Sequence, residues 1–247
     1  MSLTLFEFAA ATAVILFGAY LNGSLGFGMG MIAAPILVLI NPVLVPAPIL
    51  IIGGLVTIFG MIRDRAALDF RGAGWALAGR VPGSAVGALA VTMFSAPMMG
   101  LAIGISVLAG VLMGMLGFVP KRGAGSLFAA GLISGLMSTL AAIGAPPIVL
   151  MYHNAPPAYR RAALSMFFFV GTIISLVALV AVGAIDREIL LISAALAPAV
   201  VVGYAAGVWG PRLNEEKGVR LAALSICTVA GVVVTVQSAA TLLGLPI

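Results

Sequence analysis

Between residues 8 and 62 the chain carries no charged side chain. The same silence recurs over 81–120, 123–159, 162–185, 189–211 and 221–247. A helix needs about 20 mostly apolar residues to cross a bilayer, and every one of these runs is that long. Only 8% of the 247 residues are charged and 63% are hydrophobic, whereas a soluble domain is about 25% charged. The solvent this chain is built for is therefore lipid. No polar segment is long enough for a soluble domain, so residues 1–247 read as a single transmembrane domain.

Barrel strands would alternate apolar and polar residues over about 10 positions, and no such alternation is present. The apolar segments, 3–21, 31–40, 46–62, 73–93, 97–118, 127–141, 145–152, 162–185, 189–210 and 219–243, read as helices. The first lacks a basic flank, carries Glu7 and runs on into further apolar sequence, so it is expected to stay in the mature protein as structure. The net charge of +5 is no sign of nucleic acid in so apolar a chain; it marks cytoplasmic loops. Arg63, Arg65 and Arg71 fall in one loop, Lys121 and Arg122 in a second, Arg160 and Arg161 in a third, and Arg212, Lys217 and Arg220 in a fourth. The connections at 41–46, 95–97 and 186–188 are poor in base and are expected outside.

Alternation of sides fails across 127–152. Both flanks are basic, yet the interval is too short for two spans and has the wrong parity for one. A re-entrant hairpin of two short helices resolves the conflict. Irregular backbone at that depth is tolerated only where protein buries it or where it lines a wet cavity.

A second irregularity lies at residues 22–36, NGSLGFGMGMIAAPI, where glycines alternate with bulky residues inside a charge-free run. An offset of 116 positions lays Gly28 over Gly144, Asn22 over Ser138, Pro82 over Pro198 and Gly87 over Gly203. Each match is weak, but their order agrees along the chain. With one residue of slippage Leu68-Asp69 falls on Ile185-Asp186 and the basic loop 63–71 on 180–188, which is expected outside, so the two halves would be inverted. The expected architecture is an all-α integral membrane protein of two inverted-topology repeats, about 3–118 and 127–243. Each holds a broken, re-entrant helical hairpin and about three transmembrane helices. Interrupted helices at matching positions of inverted halves are the sequence sign of a secondary transporter with a midplane site.

At these two breaks the sequence resembles the TauE/SafE family of membrane permeases. The resemblance is carried by Gly26-Phe27-Gly28-Met29-Gly30 with Pro35, by Ser134-Gly135 through Ile143-Gly144-Ala145-Pro146-Pro147, and by 161–168. The turns at 68–71 and 185–187 are similar to that family's short acidic-basic connections. The resemblance implies an exporter of anions, with sulfite and organosulfonates such as sulfoacetate as the usual substrates. Ala142 and Ala145 depart from it, since glycine is commoner there, as does Arg80 within a helix.

The residues themselves point to an anion as well. A half-helix beginning at mid-membrane offers unpaired N–H groups and the positive end of its dipole. Those donors would come from Gly28, Met29, Gly30 and Met31 at the first break, and from Gly144, Ala145, Ile148 and Val149 at the second. Pro146, in the same turn, has no N–H. Glycine at 26, 28, 30 and 144 would let an oxyanion approach the backbone; close helix packing is the other reading of the same glycines. Gly18 and Gly131, further along the same helices, have no part in the site. Asn22, Ser24, Ser134, Ser138 and Thr139 are the polar side chains nearest the breaks, able either to serve the ligand or to bond their own helices. Arg80 would attract the anion, hold Glu7 or a carbonyl, or reach back to the interface. His153 is a possible proton relay or a polar end-cap.

One His and one Cys make no zinc site, and no catalytic constellation or phosphate-binding lysine motif is present. The expected protein is thus no enzyme and needs no cofactor. It is a multi-pass transporter of the bacterial cytoplasmic (inner) membrane, moving a small anion with a proton or sodium ion as possible coupling partner. A carboxylate carrier and an anion channel are the alternatives.

Overall fold

A computed structural model of the chain describes residues 3–25, 29–63, 70–116, 121–210 and 217–244. Among the described residues ten α-helices follow one another: α1 (Leu5–Leu25), α2 (Met29–Ile40), α3 (Ala47–Arg63), α4 (Phe70–Met93), α5 (Ala96–Leu116), α6 (Ala124–Ala141), α7 (Ala145–Met151), α8 (Pro157–Ala181), α9 (Arg187–Trp209) and α10 (Lys217–Leu242). No strand occurs among the described residues. Eight of these described helices are long and apolar enough to cross a membrane; α2 and α7 are not. At about 1.5 Å per residue, the 12 residues of α2 and the 7 of α7 reach well short of a hydrocarbon core.

The distribution of side chains is that of a protein dissolved in lipid. Large apolar residues such as Phe17, Val86, Leu89, Ile105, Val177, Val202 and Val229 are exposed, while Arg80, Ser84, Ser134, Thr139 and Ser175 are fully buried. Water would reverse that arrangement. A bilayer favours it, because polar groups in hydrocarbon must find their partners inside the bundle.

With no hydrophobic force between helices in lipid, close packing of small residues holds the bundle together. Helices α4 and α6 show how. Gly79 and Gly83 of α4 lie against the carbonyls of Phe128 and Leu132, while Gly131 and Gly135 of α6 lie against those of Ala76 and Arg80. A Cβ at any of the four would strike backbone. Gly131 is therefore a packing glycine at the tightest helix pair, which its position in sequence does not reveal. On the other side α1 packs on α9 in the same manner, with Gly203 and Gly207 against the carbonyls of Leu16 and Tyr20. Helix α5 lies along α10, and α3 along α8.

Two hairpins stand out. The start of α1 and the end of α2 meet, with Asn41 Nδ2 donating to Glu7 Oε1 at 3.2 Å. Glu7 is tied there also to Thr4, whose backbone N–H donates to it at 2.7 Å, so it is not the partner of Arg80. The start of α6 likewise meets the turn after α7, where the Arg122 guanidinium lies 4.4 Å over the ring of Tyr152 and 5.9 Å from that of Tyr159. Each pair folds back on its own end. Helix boundaries differ modestly from the apolar segments: α8 begins at Pro157 and passes through Arg160 and Arg161, and it stops at Ala181, before the Asp186 side chain caps α9 through Ile189 N–H.

Candidate functional site

The turn of the second hairpin is fixed by its own backbone. Ala142 ends α6 in the left-handed conformation, φ 57°, with its N–H bonded to Ser138 O and that of Ile143 bonded to Met137 O. This is the capping pattern that usually employs glycine, so an alanine here carries strain of about 1–2 kcal/mol. Gly144 follows as the N-cap of α7. Ser134 Oγ donates to the Gly144 carbonyl at 2.6 Å, which folds the tip back against the middle of α6. A side chain at 144 would meet Ser138 Cβ at 2.8 Å and Ser134 O at 2.9 Å.

The start of α2 lies beside this tip. Gly30 packs so closely on the Ala142 carbonyl that a Cβ would overlap the oxygen. Between the two tips and α3, α8 and α9 is a cavity of about 100 Å³. Its walls include Asn22, Met29, Gly30 and Met31 from the first hairpin and Ser138, Ala142, Ile143, Gly144 and Ala145 from the second. Helix α3 adds Gly53, Thr57 and Gly60; α8 adds Ser165, Phe168 and Thr172; α9 adds Tyr204. Among the described residues, no Lys, Arg, His, Asp or Glu lines it.

The charge stands one side chain behind the wall. Arg80 is fully buried on α4, and its guanidinium donates from Nη1 to Ser134 Oγ at 3.2 Å and from Nη2 to Ser138 Oγ at 2.9 Å. It also lies 4.9 Å over the ring of Phe167. Nε has no hydrogen-bond partner among the described residues. Gly171 leaves the room that the guanidinium occupies, since a Cβ there would overlap Nε and Cζ. An arginine inside a membrane helix costs about 2.5–3.5 kcal/mol and normally pairs or faces water. This one meets no described carboxylate, and its guanidinium is held by two serines inside the bundle.

A family model described as sulfite exporter TauE/SafE matches residues 11–234. The chain belongs to the TauE/SafE family. It is a multi-pass membrane transporter, and not a member of an enzyme family. A curated relative, the probable sulfite/organosulfonate exporter TauE of Cupriavidus necator, is 26% identical over 205 residues, which cover 77% of this chain and 78% of the relative. No solved structure matches the chain.

Within this TauE/SafE chain the sequence-predicted site residues separate into groups. Asn22, Met29, Gly30, Ser138, Gly144 and Ala145 share the cavity wall; Ser134 and Arg80 back it. Gly26 and Gly28 lie outside the described residues. Ser24 is spent on a bond to the Gly207 carbonyl, 3.1 Å. Thr139 points away, donating to Ser175 Oγ at 3.0 Å, with Ser84 Oγ 3.2 Å beyond. Pro146 is buried and faces Gly110 of α5. His153 is exposed beyond α7. Sequence reasoning did not find Thr57, Ser165, Thr172 or Tyr204. Lone hydroxyls in long apolar helices look alike whether they bond their own backbone, as Thr57 does to the Gly54 carbonyl at 2.7 Å, or face a ligand.

Proposed function

We propose that this transporter is a secondary active carrier that moves a small sulfur oxyanion, sulfite or an organosulfonate such as sulfoacetate, outward across the cytoplasmic membrane of a bacterium. The observation that carries the reading is Arg80, buried with no described carboxylate beside it and bonded to Ser138 on the wall of a cavity between two broken hairpins. An isolated buried cation is unfavourable unless something compensates it. A transported anion is such a compensating charge, present in part of the cycle and absent in the rest. The name of the Cupriavidus relative supports the sulfur class. An interior-negative potential favours efflux of an anion by about 2.3 kcal/mol per charge per 100 mV.

The ligand contacts in this reading come from Asn22, Met29, Gly30, Ser138, Gly144 and Ala145, with Arg80 and Ser134 behind them. The inverted-repeat reading has support in the packing. Exchanging α1–α5 with α6–α10 turns the α1–α9 pair into the α6–α4 pair and leaves the α5–α10 and α3–α8 pairs unchanged. Two-fold related halves would have that property, and alternating access would then rock one half against the other around the shared cavity.

The test is counterflow in proteoliposomes, with sulfite, sulfoacetate, taurine and simple carboxylates inside and labelled compound outside. A carrier accumulates label transiently against its gradient, whereas a channel only dissipates it. Repeating the assay with imposed proton or sodium gradients identifies a coupling ion. Failure of every sulfur oxyanion alongside uptake of a carboxylate would overturn the assignment of substrate.

A further inference from the structure

We propose that Ser165 of α8 forms a second ligand subsite in this cavity. It takes the polar far end of a sulfonate on a two-carbon chain, while the sulfonate group itself sits at the Ser138 end. The proposal rests on the sulfur-anion carrier reading above and divides the ligand's contacts between two ends of one space.

The cavity is long rather than round. Its wall on α3 runs from Ile49 to Gly60, about 16 Å of helix. Opposite, α8 contributes Ser165, Phe168 and Thr172, spaced three and four positions apart and so on one face of the helix. Two close approaches join these walls. A Cβ on Gly60 would lie 2.7 Å from Ser165 Oγ, and one on Gly54 would lie 3.4 Å from Thr172 Cγ2. The two helices are therefore antiparallel here, with one hydroxyl of α8 towards each end of the stretch they share.

Thr172 marks the Arg80 end. It follows Gly171, against which the guanidinium packs, and it lies about one turn before Ser175, which accepts from Thr139, the neighbour of Ser138 in sequence. At that end Ser138 accepts from Arg80 Nη2 at 2.9 Å and brings the positive charge to the wall. Ser165 lies seven positions before Thr172, about 10 Å along the axis, in the direction of Arg160 and Arg161.

Neither hydroxyl is used by its own helix. Elsewhere in this bundle serine and threonine donate to the carbonyl one turn back: Ser193 to Ile189 O at 2.7 Å, Thr228 to Leu224 O at 2.8 Å and Thr235 to Gly231 O at 2.7 Å. That local bond is the usual fate of a hydroxyl in a membrane helix. Ser165 and Thr172 have no hydrogen-bond partner among the described residues, although Thr172 is only 8% exposed and both line the cavity. A buried hydroxyl without a partner is unfavourable, and the cavity is where a partner can enter.

The spacing selects that partner. Within the separation of the two hydroxyls, a pair of hydrogen bonds of about 2.8 Å leaves about 5 Å between the bonded ligand atoms. This is the reach from a sulfonate oxygen to the terminal oxygen of a two-carbon sulfonate such as sulfoacetate. The oxygens of a single sulfite lie much closer together, so sulfite bonds at one end only.

The experiment measures counterflow in proteoliposomes with labelled ethanesulfonate, 2-hydroxyethanesulfonate and sulfoacetate. The first two have the same charge and chain and differ by one terminal hydroxyl. A site that bonds a terminal oxygen discriminates against the analogue lacking it. In the wild type the half-saturating concentration of 2-hydroxyethanesulfonate should be about fivefold below that of ethanesulfonate. That of sulfoacetate should be lower still, because a carboxylate is the stronger acceptor. Ser165→Ala should abolish the first advantage and reduce the second, at an unchanged melting temperature. Thr172→Val, at the sulfonate end, should raise the half-saturating concentrations of all three and keep their order. Equal affinities of the hydroxylated and plain probes in the wild type, or an advantage that survives Ser165→Ala, would overturn the second subsite and leave the carrier intact. Loss of the advantage in Thr172→Val alone would overturn the orientation. Counterflow of sulfite without that of any sulfonate would also overturn the subsite, whereas counterflow of neither would overturn the carrier reading on which it rests.

Discussion

Arg80 Nη2 donates to Ser138 Oγ across 2.9 Å, and this bond joins α4 to the broken hairpin of α6 and α7. It spans 58 residues of sequence and places a permanent positive charge one hydroxyl away from the cavity. Removing that charge while keeping hydrogen-bond donors separates its electrostatic role from its structural one. Arg80→Gln should fold to comparable yield and bind the anion about tenfold to a hundredfold more weakly, the span expected for a hydrogen bond to a charged group. Arg80→Lys should fall between, because one ammonium cannot reproduce a fork that reaches two serines. Half-saturating concentrations in counterflow, with monodispersity in detergent as the folding control, check both.

How far this arrangement could be read from sequence depends on the residue. The breaks were legible because glycine runs and a proline pair are conspicuous inside charge-free segments, and because they recur at a fixed offset. Asn22 and Ser138 were legible as polar residues beside those breaks. The partners of Arg80 were not, since nothing local distinguishes an arginine that reaches back to the interface from one held by serines 54 and 58 positions away. Thr139 and Ser138 are adjacent in sequence, yet a helix sends neighbours about 100° apart, so one faces the cavity and the other Ser175. Gly131 reads like Gly18 in the sequence. In the fold Gly18 has ordinary contacts at 3.5 Å, while Gly131 lies against the carbonyl of Ala76.

Gly53 offers a way to fill the cavity without disturbing its walls. It lines the space, and a Cβ at this position would meet nothing within 4 Å. Gly53→Leu should therefore leave the melting temperature near that of the parent, and should reduce transport at least tenfold by occupying the volume a ligand needs. On α4, Gly74 has equally open surroundings but does not line the cavity, so Gly74→Leu serves as the control and should transport normally. Equal activity in the two variants would place the ligand elsewhere.

The sidedness of the second hairpin can be read by labelling. Ala124 and Asn154 are exposed at its two ends, and Ser95 is exposed between α4 and α5. On a Cys227→Ser background, Ala124→Cys and Asn154→Cys should react with an impermeant thiol reagent from the cytoplasmic side. Ser95→Cys should react from the opposite side. Labelling of Ala124→Cys and Asn154→Cys from opposite sides would mean that α6 and α7 together cross the membrane.

The sharpest test of the shared cavity is bulk at its two tips. Gly144 has Ser138 Cβ, Ser134 O and Ser134 Oγ at 2.8–3.0 Å from where a Cβ would lie. Gly30 lies against the carbonyl of Ala142. Alanine at either position adds one methyl group and no charge, so a loss cannot be electrostatic. Gly144→Ala must displace Ser134 or Ser138 and with them the hydroxyl that receives Arg80. Gly30→Ala must push the first tip from the second without touching either serine. Both should lower the melting temperature, as overpacking in a tight contact costs about 1–3 kcal/mol, and Gly18→Ala should not. Ligand-dependent stabilisation, measured against each variant's own baseline, then separates the contributions. If the anion is held between the tips, both variants lose it. Retention in Gly30→Ala with loss in Gly144→Ala would assign the binding to the second hairpin and Arg80 alone, leaving the first as the surface that closes against it.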